Sequence, residues 1–337
     1  MQKYSPNRTA LPRCAMLAAL SGALLIGLPA YAHEYSPLFK AKKYAEIERA
    51  ITAKLTADPN NADALIAKAE LIITEGKEER LDEGSKFAEQ CIAAHPQRSE
   101  CFEALGNVLG TKAQIGGIVS AMGYAGKIRD AFIKAVELDP KNYQARSSLL
   151  QYYLQAPGFV GGGKGKAQSL VVETNKVSPA AGALLQATID LSDEKFARAE
   201  AAALAVIVDG NEVLSDMQRG VLSNLGHAYI KEKKYMDAER LFRELNQRFP
   251  ESSAGNYGFG KLLQEQGKFK EAVMYFDKAI ATEASAYAYF RLGQCQRGLN
   301  DKAKAIAAFE KALASRPELR KKQKAEAEDQ LKALRAL

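Results

Sequence analysis

Toward the end of the chain, apolar and small residues return every three or four positions in stretches of about a dozen residues, separated by short polar breaks. From Arg219 they fall at Leu222, Leu225, Gly226, Tyr229, Tyr235, Ala238, Phe242 and Leu245, and Pro250 follows. That spacing marks one buried face of a helix, and the break between Tyr229 and Tyr235 divides the stretch into two helices. The pattern recurs at Phe259, Gly260, Leu263, Phe269, Ala272, Phe276 and Ala279, then at Leu292, Gly293, Ala305, Phe309, Ala312 and Pro317. Gly226 and Gly260 are 34 residues apart, Gly260 and Gly293 are 33, and Phe242, Phe276 and Phe309 keep the same two steps. Such a period predicts a helix-turn-helix unit that cannot bury its apolar face alone and must stack on its neighbours.

These residues and their spacing resemble the tetratricopeptide-repeat (TPR) family. The resemblance implies an all-α, right-handed TPR solenoid of helix-turn-helix repeats closed by a C-terminal capping helix. The Gly and Ala positions would let the two helices, A and B, approach closely, while each Phe fills the gap to the next repeat. It also implies a concave face lined by helices A, with other polypeptides as ligands. On that face the resemblance places Ser223, His227 and Ile230, then Tyr257, Lys261 and Gln264, then Tyr287, Arg291 and Gln294. Of these, His227, Tyr257, Lys261, Tyr287 and Arg291 are the candidate peptide-binding residues, since aromatic, basic and amide groups suit an extended peptide. Family members that bind chaperone C-termini use a carboxylate clamp of Lys and Asn. Here Ser223 and His227 replace the first Lys and Asn, and only Arg291 matches.

Upstream the frame is looser. Pro59, Pro96, Pro140 and Pro179 each follow an apolar-periodic helix, and the whole chain reads as about seven units with a partial first one. Residues 33–213 are therefore expected to be divergent repeats, 214–317 three well-formed ones, and 318–337 a polar cap anchored by Leu319, Leu331 and Leu334. Two inserts interrupt the period, at about 111–127 and 156–167. Gly106 and Ile128 stand 22 positions apart where the repeat expects 12. The second insert reads APGFVGGGKGKA. The stretch 126–167 also resembles the repeat core of regulator-of-microtubule-dynamics proteins and of bacterial TPR proteins with a Pro-Gly-x-x-Gly-Gly loop.

The N-terminus changes the expected setting. Lys3, Arg8 and Arg13 precede an apolar run from Ala15 to Leu28, then Pro29 and Ala30-Tyr31-Ala32. That is the form of a cleaved secretory signal over 1–32, with an uncleaved anchor as the alternative. The expectation is a periplasmic protein starting at His33 with no stable membrane span, the run being too short to cross a bilayer. Losing those residues removes three bases and no acids, leaving 44 basic against 40 acidic side chains. So near-neutral a balance, with no Trp and no basic stripe, excludes nucleic acid as the expected partner. In an oxidising compartment Cys91 and Cys101, five residues either side of Pro96, would come level in an antiparallel hairpin and form a disulfide, leaving Cys295 as a buried thiol.

Catalytic chemistry is absent from the sequence. GFVGGGKG spells a phosphate-loop pattern but ends in Gly165 where Ser or Thr would hold magnesium, and no strand precedes it. Three histidines are too scattered for a metal site, so neither metal nor cofactor is expected. The sequence thus points to a non-catalytic scaffold or adaptor for a protein or peptide partner in the cell envelope. The alternatives are a small-ligand binding protein or an enzyme subunit using the loop 156–167.

Overall fold

The computed structural model describes residues 33–336, so the expected signal segment lies outside the described residues. Those residues form seventeen α-helices and no strand. Sixteen pair into eight antiparallel hairpins: α1–α2 (Ser36–Lys40, Tyr44–Ala57), α3–α4 (Ala62–Glu75, Leu81–Ala94), α5–α6 (Ser99–Ile115, Gly117–Leu138), α7–α8 (Tyr143–Gln155, Lys164–Val177), α9–α10 (Pro179–Ser192, Phe196–Ala205), α11–α12 (Glu212–Lys231, Tyr235–Arg248), α13–α14 (Ala254–Glu265, Phe269–Thr282) and α15–α16 (Ala286–Gly298, Lys302–Ala314). The count exceeds the sequence estimate of about seven, because α1 has only five residues and leaves little periodic signal.

Local chemistry sets the turns. Between helix A and helix B a single residue takes left-handed backbone and reverses the chain: Lys42, Gly76, Glu194, Lys233, Gly267 and Asn300 in six of the hairpins. At the opposite edge, where B leads to the next A, side chains cap the new helix. Asn61, Asn142, Ser178, Asn211 and Ser285 each accept a hydrogen bond from the backbone N–H three residues on. These caps satisfy amides that a helix start leaves orphaned.

Packing between A and B rests on a glycine under a phenylalanine ring. A Cβ on Gly226 would lie 2.4 Å from Phe242, one on Gly260 2.7 Å from Phe276, and one on Gly293 2.8 Å from Phe309. All three rings are fully buried. Gly106 meets Phe132 in the same way, at 2.4 Å. Gly106 and Phe132 are 26 residues apart, against 16 in the other three pairs. The ten extra residues of the 111–127 insert are therefore added helix, about five per arm. Only Gly116–Gly117 break the run, so the α5–α6 hairpin stands about 8 Å beyond its neighbours.

The solenoid also closes on itself. Lys40 pairs with Glu212 at 2.6 Å, Lys42 with Glu283 at 3.2 Å, and Arg316 with Glu75 at 3.8 Å. Lys42 donates as well to the carbonyl of Ala284. The A-to-B edge of the first two hairpins thus faces the B-to-A edge of the last three. Each pair keeps at least one well-exposed partner and is worth roughly 0–1 kcal/mol, so the closure is a salt-sensitive contact rather than a second core.

Cys91 and Cys101 are disulfide-bonded across the α4–α5 turn, with Cα atoms 5.5 Å apart, and Cys295 is free and buried. Closing a loop of about ten residues should stabilise the fold by roughly 2–3 kcal/mol. Neither thiol should alkylate before reduction, and the double variant Cys91→Ser/Cys101→Ser should lose that amount in denaturant melts.

At the far end α17 (Lys321–Ala336) takes the place of the next helix A. Leu319, Ala327, Leu331 and Leu334 are buried against Ala286, Phe290, Phe309 and Ala312. Deleting residues 319–337 should uncover that face, lowering the melting temperature and driving self-association. A truncated protein that stays monomeric with an unchanged melt would contradict the capping role.

Candidate functional site

Four of the five residues expected on the concave face meet in one cluster across α11, α13 and α15. The His227 ring lies 6.0 Å from Tyr257, edge to face, and 5.7 Å from Phe242. Tyr257 packs in turn on Phe276 at 5.8 Å. Lys261 and Arg291 lie close enough to His227 to disfavour its protonation. Arg291 Nη1 donates to the side-chain oxygens of Gln264 at 3.3 Å and Gln294 at 3.4 Å. Tyr287 sits at the end toward the cap, where its hydroxyl accepts a hydrogen bond from the Arg320 backbone N–H at 3.3 Å.

Relative to the glycine of each helix A, His227 and Lys261 occupy the same step, one residue on. In α15 that step is Gln294, not Arg291. Gln294 links the repeats: it accepts from Gln264 at 3.1 Å and donates to Glu326 of α17 at 2.8 Å. This amide ladder, and the contribution of the cap to the face, are missing from the sequence reading. The signal was that a polar capping helix replaces a helix A and so brings its own residues to the same face. An open cleft of about 510 Å³, lined by Gln264, Arg291, Gln294 and Gln330 among others, lies where the ladder meets α17.

The electrostatics are unbalanced. Lys261 is half-buried and its pKa is held below the usual lysine range by desolvation first and by Arg291 second. Burial likewise pushes Tyr257 up, while Arg291 opposes this. Neither Lys261 nor Arg291 has a carboxylate within 4 Å among the described residues. His227 keeps its Nδ1 enclosed without a hydrogen-bond partner, and desolvation drops its pKa to about 3. The cluster is therefore a neutral imidazole and Tyr257 beside two cations, with Glu265 of the same helix as the acid that favours the Lys261 charge.

The glycine loop has a different character. Gly162 N–H donates to the Pro157 carbonyl and Gly163 N–H to that of Tyr153, and Gly161 and Gly163 take positive φ. A Cβ on Gly162 would lie 1.8 Å from the Ala156 carbonyl oxygen. These glycines serve a tight turn whose amides are consumed internally, and Lys164 pairs with Asp193. His33, the expected first residue after cleavage, is equally engaged: its Nε2 lies 2.9 Å from Glu70, and its Nδ1 accepts the Tyr35 N–H. No group of three His, Cys, Asp or Glu able to hold a metal occurs among the described residues.

A tetratricopeptide-repeat family model matches the chain twice, over residues 223–280 and 257–320. Over residues 223–320 the chain thus carries tetratricopeptide repeats. Cell division cycle protein 16 homolog of human and of mouse is 32% identical over 87 residues, which is 26% of this chain and 14% of that protein. The solved structure of yeast Tom70 superposes with a TM-score of 0.55 at 16% identity, covering 83% of this chain and 57% of that one, a likeness of fold alone. This chain thus spans a small part of its curated relatives and just over half of the yeast structure. TPR scaffolds serve protein–protein interaction and are typically non-catalytic. No described helix is long and apolar enough to cross a membrane.

The depressed His227 pKa makes acid the test of this TPR core. The folded state holds the ring neutral down to about pH 3, whereas the unfolded chain takes up its proton near 6.5. Its contribution is thus fully present above pH 6.5 and is lost as pH falls toward 3. Between pH 7 and 5 the loss should be on the order of 2 kcal/mol. His227→Asn should show a correspondingly flatter stability profile over that interval in chemical denaturation.

Proposed function

We propose that this protein is an exported, periplasmic TPR adaptor that holds an extended, carboxylate-bearing segment of an envelope protein along the concave face of its last three repeats. The observation that carries this reading is the basic pair Lys261 and Arg291, neither of them ion-paired within 4 Å, beside Tyr257 and the neutral ring of His227. A ligand carboxylate would restore to Lys261 what burial takes away, and a desolvated pair of this kind contributes more than a pair in open water. The amides of Gln264 and Gln294 offer hydrogen bonds to a peptide backbone, and Tyr257 and Tyr287 offer apolar faces. Export rests on the sequence of residues 1–32 and on the Cys91–Cys101 bond, which suits an oxidising compartment.

Affinity capture from envelope extract would supply the partner. Aromatic and Arg anchors buried at an interface are commonly worth about 2 kcal/mol each. Tyr257→Ala with Arg291→Ala should therefore cut capture at least about tenfold while helical circular dichroism is retained. Glu239→Ala, on the exposed face of α12, should have little effect. Capture that survives the groove variants and collapses on deleting residues 161–166 would place the site at the glycine loop instead.

A further inference from the structure

The tip of the α5–α6 hairpin exposes apolar side chains that the solenoid does not use. Ile118 is 77% exposed and Val119 81%, with Ile115 and Met122 exposed beside them. These four lie where two helices meet at Gly116–Gly117, on the hairpin that outreaches its neighbours. The next turn along the same A-to-B edge presents Phe159, 76% exposed. That turn is tied to α6 through Arg129, whose guanidinium donates to the Val160 carbonyl at 3.4 Å. The two apolar points therefore belong to one edge of the solenoid, and both are exposed.

Within the hairpin insert itself the charged side chains are basic, while acids come from its neighbours. From residue 104 to 129 there is no Asp or Glu, while Lys112, Lys127 and Arg129 flank the tip. Lys112 is paired with Asp82 at 2.5 Å and Arg129 with Asp130 at 2.7 Å, and Lys127 is exposed without an ion pair within 4 Å. Beside Phe159, Lys166 is exposed, and Lys164 is exposed but paired with Asp193. The turn on the other side of the hairpin carries Glu78 and Glu79, but it lies behind the tip, which outreaches it.

We propose that this edge docks on an anionic lipid surface, with Ile115, Ile118, Val119 and Met122 entering the headgroup–acyl boundary and Phe159 touching it from the next turn. A projecting apolar tip on arms that carry basic and no acidic side chains from residue 104 to 129 has the makeup of an interfacial anchor, in which buried apolar area and attraction to anionic lipid act together. A protein partner would more naturally meet such residues in a groove, and the hairpin offers a point instead. The contact is peripheral, because the tip is far too short to span a bilayer. It would hold the concave face, built from other helices, at a fixed orientation to the membrane.

The chain has no tryptophan, so one introduced indole reports its own surroundings. Val119→Trp in the full chain should shift its emission to shorter wavelength on adding vesicles of phosphatidylglycerol and phosphatidylcholine. The shift should be weaker with phosphatidylcholine alone and should fade at high salt. Ile207→Trp, equally exposed on the opposite edge between α10 and α11, should not shift. Replacing Ile118 and Val119 by Asp should cut the vesicle-bound fraction at least about tenfold with helicity unchanged. Several results would overturn the proposal. In one, the indole of the Val119→Trp variant ignores vesicles but shifts with rising protein concentration, so that a second copy covers the tip. In another, its emission is already at short wavelength without vesicles, so that the tip is covered by residues 1–32. Binding undiminished by the Asp substitutions, or a shift in the Ile207→Trp variant with none in Val119→Trp, would also sink it.

Discussion

Everything in this fold depends on how closely helix A can approach helix B within a hairpin. Four times a glycine gives up its Cβ so that a phenylalanine ring can lie against the helix backbone, at distances where even an alanine methyl would collide. Because Phe242, Phe276 and Phe309 are fully buried, each also closes its hairpin toward the next one. The spacing fixes the angle at which successive hairpins stack, and small constant rotations accumulate into a superhelix. Where glycine and ring are further apart in sequence, as at Gly106 and Phe132, the lock is kept and the surplus is expelled as a longer hairpin.

The accumulated rotation brings the two ends of the described chain into contact. Lys40, Lys42 and Glu75 on the first hairpins meet Glu212, Glu283 and Arg316 on the last ones, so the concave face belongs to a closed turn rather than an open arc. Exposed ion pairs hold this closure, and such pairs weaken with salt. A groove bounded in this way favours an extended segment threaded along it over a large globular surface.

Within the groove, burial and charge act against each other. The protein encloses His227 Nδ1 and half-encloses Lys261 without placing an acid in ion-pair contact with either. On the proposed reading, a ligand carboxylate would offset that burial. The glycine loop is the counterexample. It looks like a ligand cradle in sequence, yet its amides are already bonded to the Pro157 and Tyr153 carbonyls. The apolar tip of α5–α6 adds a second surface, on helices other than those that carry the cluster.

How much of this was legible beforehand depends on how local each feature is. The 34-residue period, the Gly–Phe steps, the capping helix and the pairing of Cys91 with Cys101 are each written within one hairpin or between neighbours, so the sequence carries them directly. The resemblance to tetratricopeptide repeats placed His227, Tyr257, Lys261, Tyr287 and Arg291 on one face, and His227, Tyr257, Lys261 and Arg291 lie together in the structure. Tertiary structure decided the rest. The equivalence of Gln294 with Lys261 and the arrival of Glu326 from α17 depend on how separate helices align. The neutrality of His227 depends on what encloses it. The insert at 111–127 became helix instead of loop because the Gly106–Phe132 contact held the arms together. The meeting of the chain's ends is the least legible feature, since it is the sum of many small inter-repeat rotations and no local pattern of residues records a sum.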